Sequence, residues 1–331
     1  MTEKQVKIVD KTCNFITLKN ENVELILLDL GALVYSLKTK DEKGQLEDIV
    51  LQYQDIQEYA TNPSYFGATV GRVAGRIKDA QIHLDKKISN LDKNFQDKHT
   101  LHGGSNGLNL QHFNYSFLAD NKVRFETVQL SKKDSFPGNI SLAVTYELLE
   151  KSLIISFDAI SDEDTVLNIT NHSHYNLSGN YKTTIENHDL RVEATEFVNI
   201  DEMMIPKEII DLPSEMDFNV KSRIGSKLKY QDSNYFSRGG IDHCYIVDGE
   251  VMLEDQSSGR RLKVSSSYPA MQIYTCNFSR GHTLSNGKVL KQYDAICFEP
   301  QFVGAFDGDY TNHPMRLNKG EKYSHFIKLE F

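Results

Sequence analysis

Apolar side chains recur along this chain mostly at two-residue spacing in short runs, the period of a half-buried β-strand. Residues 15–38 alternate loosely and contain Gly31, which predicts two strands with turns at 19–22 and at Gly31. Further strands are expected at 48–52, 115–119, 123–130, 140–149, 153–159, 189–197, 240–247, 271–278, 295–300 and 323–331. Two hairpins are expected, 82–84 with 88–91 and 251–254 with 261–265. Turn-forming clusters such as Asp120-Asn121, Pro137-Gly138 and Ser258-Gly259 separate these runs. Residues 55–60 read as one helical turn stopped by Asn62-Pro63, and 211–230 as loop with a little helix. No amphipathic pattern continues for three helical turns. Many short strands at regular intervals predict an all-β sandwich or barrel. With no linker composition anywhere, residues 1–331 are expected to form one domain.

Three stretches depart from this pattern. Residues 168–179 read Asn-Ile-Thr-Asn-His-Ser-His-Tyr-Asn-Leu-Ser-Gly. If they are extended, Thr170, His172, His174 and Asn176 share one face, opposite Ile169, Ser173, Tyr175 and Leu177. A face with two imidazoles is either a functional wall or a pair of half-buried, hydrogen-bonded histidines. Residues 65–77 hold three glycines and two arginines, Arg72 and Arg76, which suggests closely packed, sharply turning backbone. Residues 98–112 form a long loop containing Leu101-His102-Gly103-Gly104. Glu299 lies in the apolar run Ile296-Cys297-Phe298-Glu299-Pro300, where a carboxylate is costly unless it is paired or functional. Asp242 and His243 open a strand, where a turn-capping role competes with a binding one; Gln272 lies within another. For Arg76 the competing role is to hold carbonyls of its own glycine-rich loop.

A net charge of −9 argues against nucleic acid or anionic membrane as a partner and says little about a neutral small molecule. The four cysteines, Cys13, Cys244, Cys276 and Cys297, are scattered without a Cys-x-x-Cys pair, which fits free thiols in a reducing compartment. The first residues lack the apolar core of a signal peptide, and no run approaches the roughly 20 apolar residues of a membrane span. A cytoplasmic protein is expected.

Six blocks, in order, resemble the galactose mutarotase (aldose 1-epimerase) family: Phe66-Gly67-Ala68-Thr69-Val70-Gly71-Arg72-Val73-Ala74-Gly75-Arg76-Ile77, Leu101-His102-Gly103-Gly104, Thr170-Asn171-His172-Ser173, Asp242-His243, Gln272-Ile273-Tyr274-Thr275-Cys276-Asn277-Phe278 and Glu299-Pro300-Gln301. The resemblance runs from about residue 60 to the C-terminus. It implies a large antiparallel β-sandwich of the galactose mutarotase type with few short helices. It also implies exchange of the α and β anomers of a free aldose such as galactose or glucose. That chemistry needs a base for the C1 hydroxyl proton and an acid for the ring oxygen; the ring opens, the C1–C2 bond rotates, and the ring closes on the other face. By resemblance Glu299 is the base and His172 the acid, with roles exchanged on closure. His102 helps hold or polarise the sugar, and Arg76, Asp242 and Gln272 bind its hydroxyls. No cofactor or metal is implied, and the protein is expected to be a monomer or homodimer acting on a small aldose.

Four departures from the family pattern stand out. Gly75 replaces a common Asn, His174 a usual aromatic and Phe113 a usual Trp, while 302–307 alters the stretch after the glutamate. Alternatives remain. A hexose 6-phosphate epimerase would need clustered cations, Arg72 and Arg76 being the candidates. A glycosidase would use Asp242 and Glu299. A metal enzyme would use His172, His174 and Glu299. A non-catalytic sugar-binding protein would share the fold alone.

Overall fold

The structure, a computed structural model, describes residues 1–228 and 239–331. Where side chains alternate in polarity the chain is extended, and most buried members of the strands meet in one large core, with smaller clusters beside it. In Ser152–Ser161, Leu153, Ile155, Phe157 and Ala159 point inward; in Lys122–Gln129, Val123 and Phe125 do so. Five strands follow one another in an N-terminal sheet: Thr2–Ile8, Lys11–Lys19, Val23–Leu28, Leu33–Lys40 and Leu46–Asp48. Among the described residues a 13-stranded sheet makes up the larger part of the frame, with four two-stranded ladders beside it. Its main path runs through Asn114–Ala119, Lys122–Gln129, Ile140–Leu148, Ser152–Ser161, Lys322–Glu330, Arg260–Ser266, Asp242–Asp255, Ala270–Tyr274, Ile296–Gln301 and His174–Tyr175. Pairing between neighbours on this path is antiparallel. The C-terminal strand Lys322–Glu330 pairs with Ser152–Ser161 on one side and Arg260–Ser266 on the other, so it splices two halves of the sheet.

Leu25 and Leu27 of the first sheet pack into one cluster with Phe125, Phe157, Leu253, Ile273 and Phe298 of the second. Phe113 is fully buried in that cluster. The described α-helices, Ser131–Asp134 and Ile224–Lys227, are four residues each, and none is long and apolar enough to cross a membrane. The all-β sandwich with few short helices is the architecture observed.

Local differences have local causes. Thr2–Ile8 is a strand although its residues are mostly exposed, because backbone pairing with Lys11–Lys19, and no buried face, holds it. The run expected over 271–278 leaves the ladder after Tyr274. Within 211–230 there are a 3₁₀ turn at Ser214–Met216, a bridge strand Ser222–Arg223 and the helix Ile224–Lys227; residues 229 and 230 lie outside the described part. All four cysteines are free and buried.

Candidate active site

The register of four neighbouring strands builds one polar wall. Directly opposed residues in an antiparallel pair share a face. His174 faces Cys297, Cys297 faces Tyr274, and Tyr274 faces Asp242, which makes one row. Glu299, Gln272 and Cys244 make the next row. Of these, Glu299, Gln272, Asp242, His174, Tyr274 and Cys244 line one pocket together with Arg76, His102, His172, Tyr65 and Phe95. Six positions expected from sequence, Glu299, His172, His102, Arg76, Asp242 and Gln272, thus meet in one cavity.

The stretch 168–179 is not one strand. Thr170–Asn171 pairs with Thr69–Val70, and His174–Tyr175 pairs with Ile296–Gln301, so the chain changes partners between Asn171 and His174. His172 sits at that crossing, 6% exposed. Its ring stacks on His174, with centroids 5.0 Å apart and planes at 24°. The two histidines do lie on the same side, as alternation requires.

His102 is held by a turn rather than a strand. Its φ of +49° and those of Gly103 and Gly104 (+87° and +79°) put three consecutive residues in the left-handed region. A Cβ at Gly103 would lie 2.0 Å from the Gly71 carbonyl oxygen, so no other residue fits there. Gly75 clamps the histidine from both sides. Its N–H donates to His102 Nδ1 at 3.2 Å, and its carbonyl accepts from the His102 N–H at 3.0 Å. With Nδ1 accepting, the neutral ring carries its proton on Nε2 as a hydrogen-bond donor. Tyr65 packs edge-on against His102, with ring centres at 4.8 Å, and lies 5.6 Å from the His172 ring.

His172 Nε2 lies 3.5 Å from Glu299 Oε1. Burial pushes the Glu299 carboxyl up to about 8; the nearby Asp242 charge adds to this and Arg76 opposes it. Burial brings His172 down to about 4. At neutral pH the contact is therefore not an ion pair: the carboxyl is protonated, the imidazole is neutral, and the pair holds one proton. Burial also keeps His102 and His174 neutral, well below the usual imidazole range. Glu299 Oε2 is buried and has no hydrogen-bond partner among the described residues.

Asp242 is the anchor for the binding groups. Gln272 Nε2 donates to its Oδ1 at 2.6 Å, and Arg76 Nη2 lies 3.4 Å from its Oδ2. The Arg76 guanidinium also lies 4.8 Å from the centre of the Phe95 ring, and its Nε has no partner among the described residues. Arg76 thus reaches across the pocket instead of holding its own loop, and Asp242 does more than cap a turn.

Arg72 does not reach the pocket. It is 1% exposed and forms a two-pronged pair with Asp134 (Nε–Oδ2 2.7 Å, Nη2–Oδ1 2.9 Å), and it also donates to the carbonyls of Pro137 and Gly138. The cation pair that a phosphosugar would need is not assembled from Arg72 and Arg76. Arg280, which sequence reasoning missed, lines the pocket instead.

Among the described residues three sets of possible metal donors have their ligand atoms within 4.8 Å of one another: His172–His174–Cys297, His102–His172–Glu299 and Cys13–Asp29–His112. His174 and Glu299 do not fall in one set. In the first set the two imidazoles lie face to face, and their lone pairs, which lie in the ring planes, do not converge on one point. The second set is the proton-carrying pair with its neighbour.

Tyr65, Cys297, Arg280 and Phe95 were not singled out from sequence. Period two along the strand of Glu299 would have flagged Cys297; Tyr65 and Arg280 carry no local signal. Val303 and Gly304, from the altered stretch after Glu299, line the pocket, which places that departure beside the ligand space.

Known proteins resemble this chain over most of its length. A family model described as aldose 1-epimerase matches residues 14–330. The galactose mutarotase of Homo sapiens is 29% identical over 322 residues, covering 95% of this chain and 92% of the human protein. The aldose 1-epimerase of Haemophilus influenzae is 32% identical over 317 residues, covering 92% of this chain and 90% of its own. The crystal structure of a GalM/aldose epimerase homologue from C. elegans superimposes with a TM-score of 0.88 at 28% identity, over 96% of this chain and 98% of that one.

Proposed function

The chain belongs to the aldose 1-epimerase family, and on that premise we propose that it interconverts the α and β anomers of free hexoses such as galactose and glucose, in the cytoplasm. The observation that carries this reading is the buried contact between Glu299 and His172. A buried carboxyl with an unpartnered oxygen lies 3.5 Å from a buried imidazole, at the wall of a pocket lined with hydrogen-bonding groups. The anomeric hydroxyl and the ring oxygen are bonded to the same carbon, so the acid and base that serve them must be neighbours.

Glu299 takes the C1 hydroxyl proton at its free Oε2 while His172 delivers a proton to the ring oxygen. The C1–O5 bond breaks and the C1=O bond forms. After rotation about C1–C2 the same two groups run the steps in reverse on the other face. The free site holds its proton on Glu299, and the productive arrangement has it on His172. Moving it across the 3.5 Å contact changes no total charge, and the Arg76 charge favours the resulting carboxylate. His102 Nε2–H and the Asp242, Arg76 and Gln272 cluster hold the hydroxyls.

One proton on the pair sets the pH dependence. Above about 8 Glu299 loses it and no acid remains; below about 4 His172 gains a second and no base remains. The rate constant kcat/KM is expected to be bell-shaped, with limbs near those two values. Initial polarimetric rates corrected for spontaneous mutarotation check this, and a profile flat through both regions contradicts it.

Arg76→Ala is expected to raise KM by roughly 10- to 100-fold, the range for losing a charged hydrogen bond, with kcat largely kept. An unchanged KM with collapsed kcat moves Arg76 into the proton transfer. Substrate class is tested by timing anomer exchange of α-galactose, α-glucose, xylose and glucose 6-phosphate. Preference for the free hexoses supports the proposal, and preference for the phosphate moves the reading to a hexose 6-phosphate epimerase with Arg280 as the added cation.

A further inference from the structure

Gln301 stands two residues beyond Glu299 on the strand Ile296–Gln301 and therefore on the same face. It is 6% exposed and lines the same pocket. Across the ladder it faces Ala270, whose methyl offers the amide nothing to bond. On its other side lies Gly75, where a Cβ would sit 3.6 Å from Gln301 Nε2 and 3.8 Å from Oε1. The amide head thus rests beside bare backbone, in the loop that clamps His102 and leads into Arg76. Its N–H faces the Cys244 thiol. Its Oε1 is buried without a hydrogen-bond partner among the described residues. Such an acceptor is rare in a folded protein unless something absent from the free chain completes it.

From this arrangement, and resting on the mutarotase reading above, we infer that Gln301 is a specificity-determining residue whose Oε1 accepts a hydrogen bond from one of the C2–C4 ring hydroxyls of the aldose. The strand rise separates Gln301 from Glu299 by about 6.5 Å, roughly the reach of a pyranose ring. If Glu299 meets the anomeric hydroxyl, Gln301 meets a hydroxyl elsewhere on the ring. Glycine at position 75 places no side chain against the amide head, which leaves Oε1 to the ligand.

The test combines Gln301→Met, similar in length but without the amide, with 2-, 3- and 4-deoxyglucose. Both KM by polarimetry and Kd by calorimetry are measured. For glucose the variant is expected to raise KM and Kd roughly 5- to 20-fold, the cost of an unpaired hydroxyl at a buried site, with kcat within about twofold. One deoxy sugar should show the same loss with wild-type protein and no further loss with the variant. Unchanged KM and Kd in Gln301→Met overturn the inference, as does equal sensitivity of variant and wild type to all three deoxy sugars. The deoxy series on wild-type protein does not depend on the variant folding. If wild-type protein binds glucose without exchanging its anomers, the mutarotase reading fails while Kd still decides the role of Gln301. If it binds no aldose, both fail.

Discussion

Glu299→Gln is expected to lower kcat by roughly 10²- to 10⁴-fold, the usual contribution of a positioned acid or base, while KM for galactose changes little. Glutamine keeps the shape and the polar contact to His172 and cannot exchange a proton. The fold should survive, because the wild-type carboxyl is already neutral near pH 7 and an amide replaces it without adding buried charge. Stability offers an independent reading of the same carboxyl. Its folded value of about 8 lies above its ordinary 4.5, so the unfolded chain releases the proton first as pH rises. Wild-type stability therefore falls between about pH 4.5 and about 8, and the glutamine variant lacks that fall. The Tm difference, variant minus wild type, should grow across this window and then level. A constant difference indicates an ordinary carboxyl, and near-wild-type turnover removes Glu299 from the reaction.

His172→Asn is expected to cost a similar factor in kcat, for the complementary reason that asparagine neither delivers nor accepts the proton. Here the stability linkage has the opposite sign. The folded value of about 4 lies below the ordinary 6.5, so the unfolded chain takes up a proton that the buried ring refuses. Wild-type stability is lost as pH falls from about 6.5 towards about 4, and the asparagine variant should lose less over that range. His102 and His174 share this burial, so the acid sensitivity is reduced and not abolished. Thermal melts from pH 7 downward, beside polarimetry, separate a proton-transfer role from a merely structural one. An inactive variant whose acid sensitivity matches wild type points to disrupted packing against His174 instead.

The all-β character was legible because alternation and turn residues are local signals, and strands such as Ser152–Ser161 carry both. The strand Thr2–Ile8 was invisible because ladder pairing, not a buried face, holds it. Glu299 could be suspected from its apolar surroundings alone, since a lone acid in such a run must be paired or used. His172 and His174 could not be told apart by alternation, which puts both on one face. Their difference comes from the crossing between two ladders, which brings His172 to Glu299 and His174 against Phe66 and Tyr274. Arg72 and Arg76 looked equivalent in their glycine-rich run. Asp134, 62 residues further on, claims Arg72, while Asp242, 166 residues further on, claims Arg76. Such distant partners leave no trace in local spacing. Gln301 carries no such local signal, because an unpartnered amide oxygen is a property of the folded neighbourhood.

The most direct measurement follows the optical rotation of freshly dissolved α-D-galactose near pH 7 with wild-type protein, with Glu299→Gln and without protein. Wild-type protein is expected to bring the rotation quickly to the same final value that the uncatalysed solution reaches, while the variant tracks the uncatalysed curve. Equal acceleration by wild type and variant, or none by wild type, contradicts this expectation.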